Sequence, residues 1–252
     1  TRRSSDLSVD VAEKVWEEMA DFCKYAFNKS HAGGYAMVAI ITAWLKYYFP
    51  VEFMTAILNS IIDNAKKLKG YLSVCKEMNI EILPPQVNKS EELFSVNETG
   101  DSIVFGIKGI KNMGAISKQI IRERNNRGMF KNYQDFAERM AKHEKVNKTV
   151  IEALVYSGSV DEFEGTRRSK LGILDIILKN ASNQKAAFLS GQISLLDMPE
   201  FEDVKEISMP DLAEFPKKLK LEKEKEYAGF YVTEHPLDEY EKYFKDEKLN
   251  EI

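Results

Sequence analysis

The stretch from residue 35 to residue 62 is the most apolar part of the chain, and Lys46, Pro50 and Glu52 inside it limit what it can become. They leave no run of the roughly 20 apolar residues that a membrane-crossing helix needs. The stretch therefore predicts buried helices broken at Pro50, and no membrane partner. Proline fixes its own φ and lacks an N–H, which suits the first turn of a helix better than its interior. The spacing accordingly predicts helices over 32–49 and 51–61. The same periodicity predicts helices over 10–27, opened by an Asp10/Glu13 capping pair, and over 65–78.

Beyond these helices the pattern changes. Residues 80–85 read as an extended exit, and 93–96 and 102–105 as two short strands joined by a turn over 97–101. Helices between glycine turns fill 106–165, and a further helix covers 171–189. Pro199, Pro210 and Pro216 mark 190–216 as an exposed connector. A charged helix over 217–231 follows, ended by His235-Pro236. The fold class is mainly α.

With 44% apolar and 30% charged residues, the 252-residue chain has the composition of a globular protein and not of a disordered one. Its net charge of −4 hides an uneven distribution. Residues 106–150 carry eleven Lys/Arg against four acids, whereas 200–252 carry nine Lys against sixteen acids. A basic block in an acidic chain predicts a face for a polyanion, with a solvated helix surface as the other explanation. Cys23 and Cys75 show no CxxC spacing and no histidine cluster, as expected of reduced thiols in an intracellular protein. The chain begins Thr1-Arg2-Arg3-Ser4, without an initiator methionine or an apolar signal core, and reads as an excised piece. No P-loop, nucleophile motif, metal-ligand spacing or paired-carboxylate motif stands out. No catalytic residue and no metal ligand is assigned.

Three segments carry candidate contacts. In 25–35, Lys29, Ser30 and His31 sit where one helix yields to the next, and helix starts attract phosphate. A capped helix start with a surface lysine explains the same residues. In 106–114, Gly109, Asn112 and Gly114 form a glycine-type turn that exposes backbone N–H groups to phosphate oxygens, with Lys108, Lys111 and Lys118 adding long-range attraction. A degenerate second copy runs over 146–161, with Lys148 and Gly158. Within the connector, Gln192, Leu195 and Leu196 have the form of an anchor peptide for an apolar pocket, or of residues docking the connector onto its own domain.

The blocks Phe27-Asn28-Lys29-Ser30-His31-Ala32, Thr42-Ala43-Trp44-Leu45-Lys46 and Tyr48-Phe49-Pro50-Val51-Glu52-Phe53-Met54 occur in order, and the chain resembles the C-family bacterial replicative polymerases of the DNA polymerase III alpha type. The block from Leu221 to Leu237, containing Glu-Lys-Glu and Gly229-Phe230-Tyr231, is similar to the same family. The resemblance implies the end of a helical fingers segment over 1–85 and a β-hairpin plus tandem helix-hairpin-helix domain over 86–189. It further implies a connector with a clamp-binding motif over 190–216, and a helix over 217–252 leading to an absent OB domain. It implies that Tyr25, Lys29, Ser30 and His31 face the incoming deoxynucleotide, that the hairpins hold template-primer duplex, and that Gln192, Leu195 and Leu196 contact the sliding clamp.

In that family the catalytic carboxylates and their Mg²⁺ belong to the palm, upstream of Thr1, so this piece is expected to hold no cofactor and add no nucleotide alone. Other replisome subunits and the cytoplasm complete the expected setting. A freestanding helix-hairpin-helix repair or recombination protein, or a clamp-binding adaptor, are the other expectations.

Overall fold

The computed structural model describes residues 8–25, 29–189 and 207–237, with 24, 25 and 184–189 described by backbone alone. It holds nine α-helices and a three-stranded sheet among the described residues, so the chain is mainly α. Contacts divide the chain into two compact units, one ending at Pro50 and the other beginning at Val51.

The first unit contains α1 (Val9–Tyr25) and α2 (Lys29–Tyr48). The expected Asp10/Glu13 capping box is replaced by an earlier start. The Ala12 amide donates to Ser8 O at 3.0 Å, so Ser8 supplies the first helical carbonyl and Asp10 lies inside the first turn. There its charge complements the positive helix end. The expectation of buried helices fails for α2, which has no buried residue. Ile40, Trp44 and Tyr47 are 65%, 51% and 78% exposed. Two helices offer too little surface to enclose an apolar helix of 20 residues.

α3 (Pro50–Ser60), with proline at its first position as expected, starts the core of the second unit through Val51, Met54 and Leu58. Asn59 explains why it belongs there. Its amide nitrogen donates to Phe94 O at 2.9 Å and its amide oxygen accepts from Phe94 N at 2.8 Å. The side chain thus pairs with that backbone as a strand would. α4 (Ala65–Glu77) is capped by Asn64, whose side chain accepts from Lys67 N, and buries Leu68, Leu72 and Cys75. Burial pushes the Cys75 thiol up to about 11, as befits a packing residue. The boundary between the two compact units falls just after Pro50, the first residue of α3.

β2 (Ser95–Val96) and β3 (Ser102–Val104) form the expected antiparallel pair. The exit segment adds what periodicity does not show. β1 (Glu81–Leu83) pairs with β3 in parallel, Ile82 opposite Ile103, giving the order β1-β3-β2. In the turn, Asp101 accepts from the side chains of Thr99, Asn97 and Ser102, which holds its carboxyl down at about 2. Behind the sheet Phe105 packs edge-on against Phe94 and stacks with Phe230 at 5.1 Å between centroids.

Four more helices follow: α5 (Ile116–Arg127), α6 (Tyr133–Ala141), α7 (Lys148–Tyr156) and α8 (Arg167–Leu189). Asn132 and Asn147 cap α6 and α7 by accepting from Asp135 N and Val150 N. The described end of the connector is half-buried, contrary to expectation. Ile207 N donates to Gln134 Oε1, and Leu212 O accepts from Thr166 Oγ1, which fixes it to the start of α8. α9 (Lys217–Tyr227) stops at Ala228-Gly229, well short of His235. Among the described residues no helix is long and apolar enough to cross a membrane.

Candidate nucleic-acid interface

The first turn of interest is built from buried anchors. Ile107, Ile110 and Met113 are all essentially inaccessible and hold a short 3-10 turn, Ile107–Gly109, against the core. Gly106 is required because its backbone lies directly on that of Leu93 and Phe94, where a Cβ has no room. Gly109 sits under the Phe105 and Phe94 rings, so its smallness serves packing and not ligand access. Asn112 adopts φ 70° and Gly114 φ 30°, so asparagine takes the left-handed conformation expected of it. The turn ends at Gly114, whose carbonyl accepts from Ser117 Oγ at 2.7 Å. Among the described hydrogen bonds, the amides of Asn112, Gly114 and Ala115 find no acceptor, and all three residues are exposed at the start of α5.

The lysines around this turn are not free charges. Lys108 lies 2.9 Å from Asp63, Lys111 3.0 Å from Glu226, and Lys118 3.9 Å from Glu92. Lys148, in the second copy, lies 2.7 Å from Asp175, and that hydrogen bond raises its pKa above the usual lysine value. Each pair is at least partly exposed, where water screens the attraction and such contacts contribute little. A phosphate can therefore compete for these ammonium groups.

The second hairpin faces inward. Ser157, Gly158 and Ser159 are buried, and a side chain on Gly158 would run into the Arg167 guanidinium. Gly158 is thus a structural glycine in this chain, and its expected phosphate contact has no exposed backbone to make it. Arg167 is only 2% exposed yet fully engaged. It forks onto Asp161 with contacts of 2.6–3.0 Å, donates to Tyr156 O at 3.2 Å, and meets Glu224 at 2.8 Å. Burial alone would lower its pKa, but the Asp161 hydrogen bonds and the two carboxylate charges outweigh it and the value is raised.

Glu224 has no accessible surface. Besides Arg167 it accepts from Val232 N, Thr233 N and Thr233 Oγ1 at 2.8–3.0 Å. One turn later Tyr227 O accepts from Lys111 N at 2.8 Å, and the Tyr227 ring stacks on Tyr156 at 5.3 Å. α9 therefore ties the first hairpin to the second. Residues 87–92 do the same from another side. Val87 N donates to Ser159 O, while Ile107 N and Lys108 N donate to Glu91 O and Glu92 O. The buried Arg124 holds this segment through Val87 O and Ser90 O. Spacing missed Arg124, Arg167 and Glu224 as positioning residues. One signal was available: Leu221, Glu224 and Ala228 follow i, i+3, i+7, which puts an acid on the buried stripe of α9.

Of the remaining expected contacts, Lys29, Ser30 and His31 form the exposed first turn of α2 instead of the junction before it. His31 packs edge-on against Tyr35 at 4.4 Å. Tyr25 is the last residue of α1. Gln192, Leu195 and Leu196 lie outside the described residues. Among those described, no group of three or more His, Cys, Asp or Glu could hold a metal ion.

Two comparisons bear on this arrangement. The helix-hairpin-helix motif family matches residues 79–170, which begins just before β1 and includes both turns. The DNA polymerase III subunit alpha of Vibrio cholerae is 38% identical over 236 residues, covering 92% of this chain and 20% of that protein.

This sequence is homologous to one segment of the DNA polymerase III alpha subunit.

The alpha subunits of Treponema pallidum and Escherichia coli K12 are 37% and 34% identical to it over 91% and 93% of the chain. The chain spans about a fifth of the length of these alpha subunits. The alpha-type block Glu-Lys-Glu followed by Gly229-Phe230-Tyr231 now has a physical account. Its first acid is the buried Glu224, its glycine turns the chain at φ 82°, and its phenylalanine closes the core over Phe105.

Proposed function

We propose that this chain is the part of a bacterial replicative DNA polymerase that grips template-primer duplex through the first hairpin. The observation that carries this reading is the exposed Asn112–Ala115 turn, with three unengaged amides and a ring of weakly paired lysines. Backbone amides bind phosphate oxygens without selecting bases, as a replicative enzyme requires. The alpha-subunit homology over nine-tenths of the chain supports the same conclusion.

In this reading Tyr25, Lys29, Ser30 and His31 face the incoming nucleotide and Gln192, Leu195 and Leu196 engage the sliding clamp, beside other replisome subunits in the cytoplasm. The family order of the motifs is the support for each. The palm carboxylates and their Mg²⁺ are supplied from outside these residues, and the 252-residue chain adds no nucleotide alone.

Fluorescence anisotropy with a labelled primer duplex tests the central claim. Affinity falls roughly tenfold or more between about 50 and 200 mM salt, and Lys118→Glu weakens it further. Absence of duplex binding at the lower salt would sink the reading. Metal-dependent primer extension by the chain alone would overturn the claim of inactivity.

A further inference from the structure

We propose that the groove between α4 and the segment following α9 binds a single-stranded nucleic-acid segment, a site separate from the hairpin. The inference rests on reading the chain as part of a replicative polymerase, in which single strand and duplex meet. The groove has a volume of about 500 Å³, within the range of sites that enclose small organic groups.

Its cations differ from those of the hairpin. On α4, Lys66, Lys69, Ser73 and Lys76 follow i, i+3, i+7, i+10, so they form one row about 15 Å long. Lys69 and Lys76 line the groove, and Lys225 of α9 faces them from the other wall. Among the described residues, Lys66, Lys69 and Lys76 make no ion pair, whereas Lys108, Lys111, Lys118 and Lys148 all do. The acids on the rim are Glu81 and Glu234, and Glu234 is already held by Lys217 at 2.6 Å. A polyanion therefore meets more unopposed positive charge here than at the hairpin.

The walls supply the second half of the chemistry. Tyr231 and His235 pack edge-to-face at 5.1 Å, and both line the groove. Lys225 Nζ donates to Tyr231 Oη at 2.9 Å and lies 4.8 Å from the ring centroid. A base packed against the Tyr231–His235 pair would bring its phosphate near that ammonium. Apolar groups from Ile80, Ile82 and Phe230 form the floor. Lysines that track a backbone, interleaved with aromatic rings that accept any base, are what sequence-tolerant single-strand binding requires. A rigid duplex has no unstacked base to offer these rings.

The test is anisotropy of the full 252-residue chain with a labelled oligothymidylate and, in parallel, with a duplex of equal length. Lys69→Glu with Lys76→Glu, and separately Tyr231→Ala, each weaken single-strand binding about tenfold, while duplex affinity holds. Tyr231→Phe keeps the ring and retains binding. An oligonucleotide carrying 5-iodouracil photo-cross-links to Tyr231 or His235. Unchanged single-strand affinity in the lysine and Tyr231→Ala variants, or cross-links confined to 106–115, would overturn the proposal. So would equal competition by an acidic peptide. Lys118→Glu separates the two sites, because it weakens duplex binding and spares the single-strand signal. Binding of single strands without any duplex binding would remove the hairpin reading and leave the groove.

Discussion

At the scale of single residues, Glu224 carries the largest consequence. It combines zero exposure with four partners, and its removal strands Arg167 and two backbone amides. Glu224→Ala should cost on the order of 3 kcal/mol, measured by urea unfolding at neutral pH. Arg167→Lys should not be neutral either, since one ammonium cannot reproduce the fork onto Asp161. A change under about 1 kcal/mol for both would show that the cluster contributes little net stability. Glu226 responds to pH. Hydrogen bonds from Lys223, then Lys111, hold its pKa below the usual carboxylate value. A depressed folded-state pKa adds stability that is present above the unfolded pKa, near 4.5, and is lost as pH falls through the folded value. The melting temperature of Glu226→Gln should therefore depend less on pH below 4.5 than that of the parent chain. Parallel slopes would refute the coupling.

At the scale of elements, helices were legible because their periodicity is local. α3 and α4 start at Pro50 and Ala65, within a residue of the sequence expectation. The antiparallel pair β2–β3 was legible for the same reason, since five residues separate Val96 from Ser102. The parallel pairing of β1 with β3 was not, because its register is set by contacts some 20 residues apart that no short pattern encodes. The candidate site divides likewise. Asn112 and Gly114 were readable from turn chemistry, but the carboxylate partners of the lysines come from distant segments. The inward second hairpin depended on Arg167, which lies beyond the repeat that sequence comparison within the chain reveals. The asparagine caps are testable individually. Asn132→Ala should destabilise by about 1 kcal/mol, seen as an earlier urea midpoint with an unchanged slope, whereas Asn132→Ser should recover most of it.

At the scale of the whole molecule, the two compact units differ in how completely they bury their apolar residues. The second has a continuous core from Val51 to Ala228, and the first leaves α2 uncovered. Substituting Ile40 and Ile41 with Glu should therefore leave the main unfolding transition within about 0.5 kcal/mol of the parent. The same change should reduce self-association in light scattering, because an apolar stripe of that length on a surface is adhesive. A large loss of stability would mean that these side chains are covered.

The latch between α9 and the first hairpin also sets an order of events in time. Lys111 and Glu226 are 115 residues apart, so a chain emerging from the ribosome presents the hairpin long before its last hydrogen-bond acceptor exists. At about 5–20 residues per second that interval lasts roughly 6 to 23 seconds. Until then the hairpin is held by Ile107, Ile110 and Met113 and by the amides of Ile107 and Lys108 on Glu91 O and Glu92 O. The turn thus gains its Lys111 N to Tyr227 O hydrogen bond only once α9 has been made, so late synthesis, and not local folding, completes it.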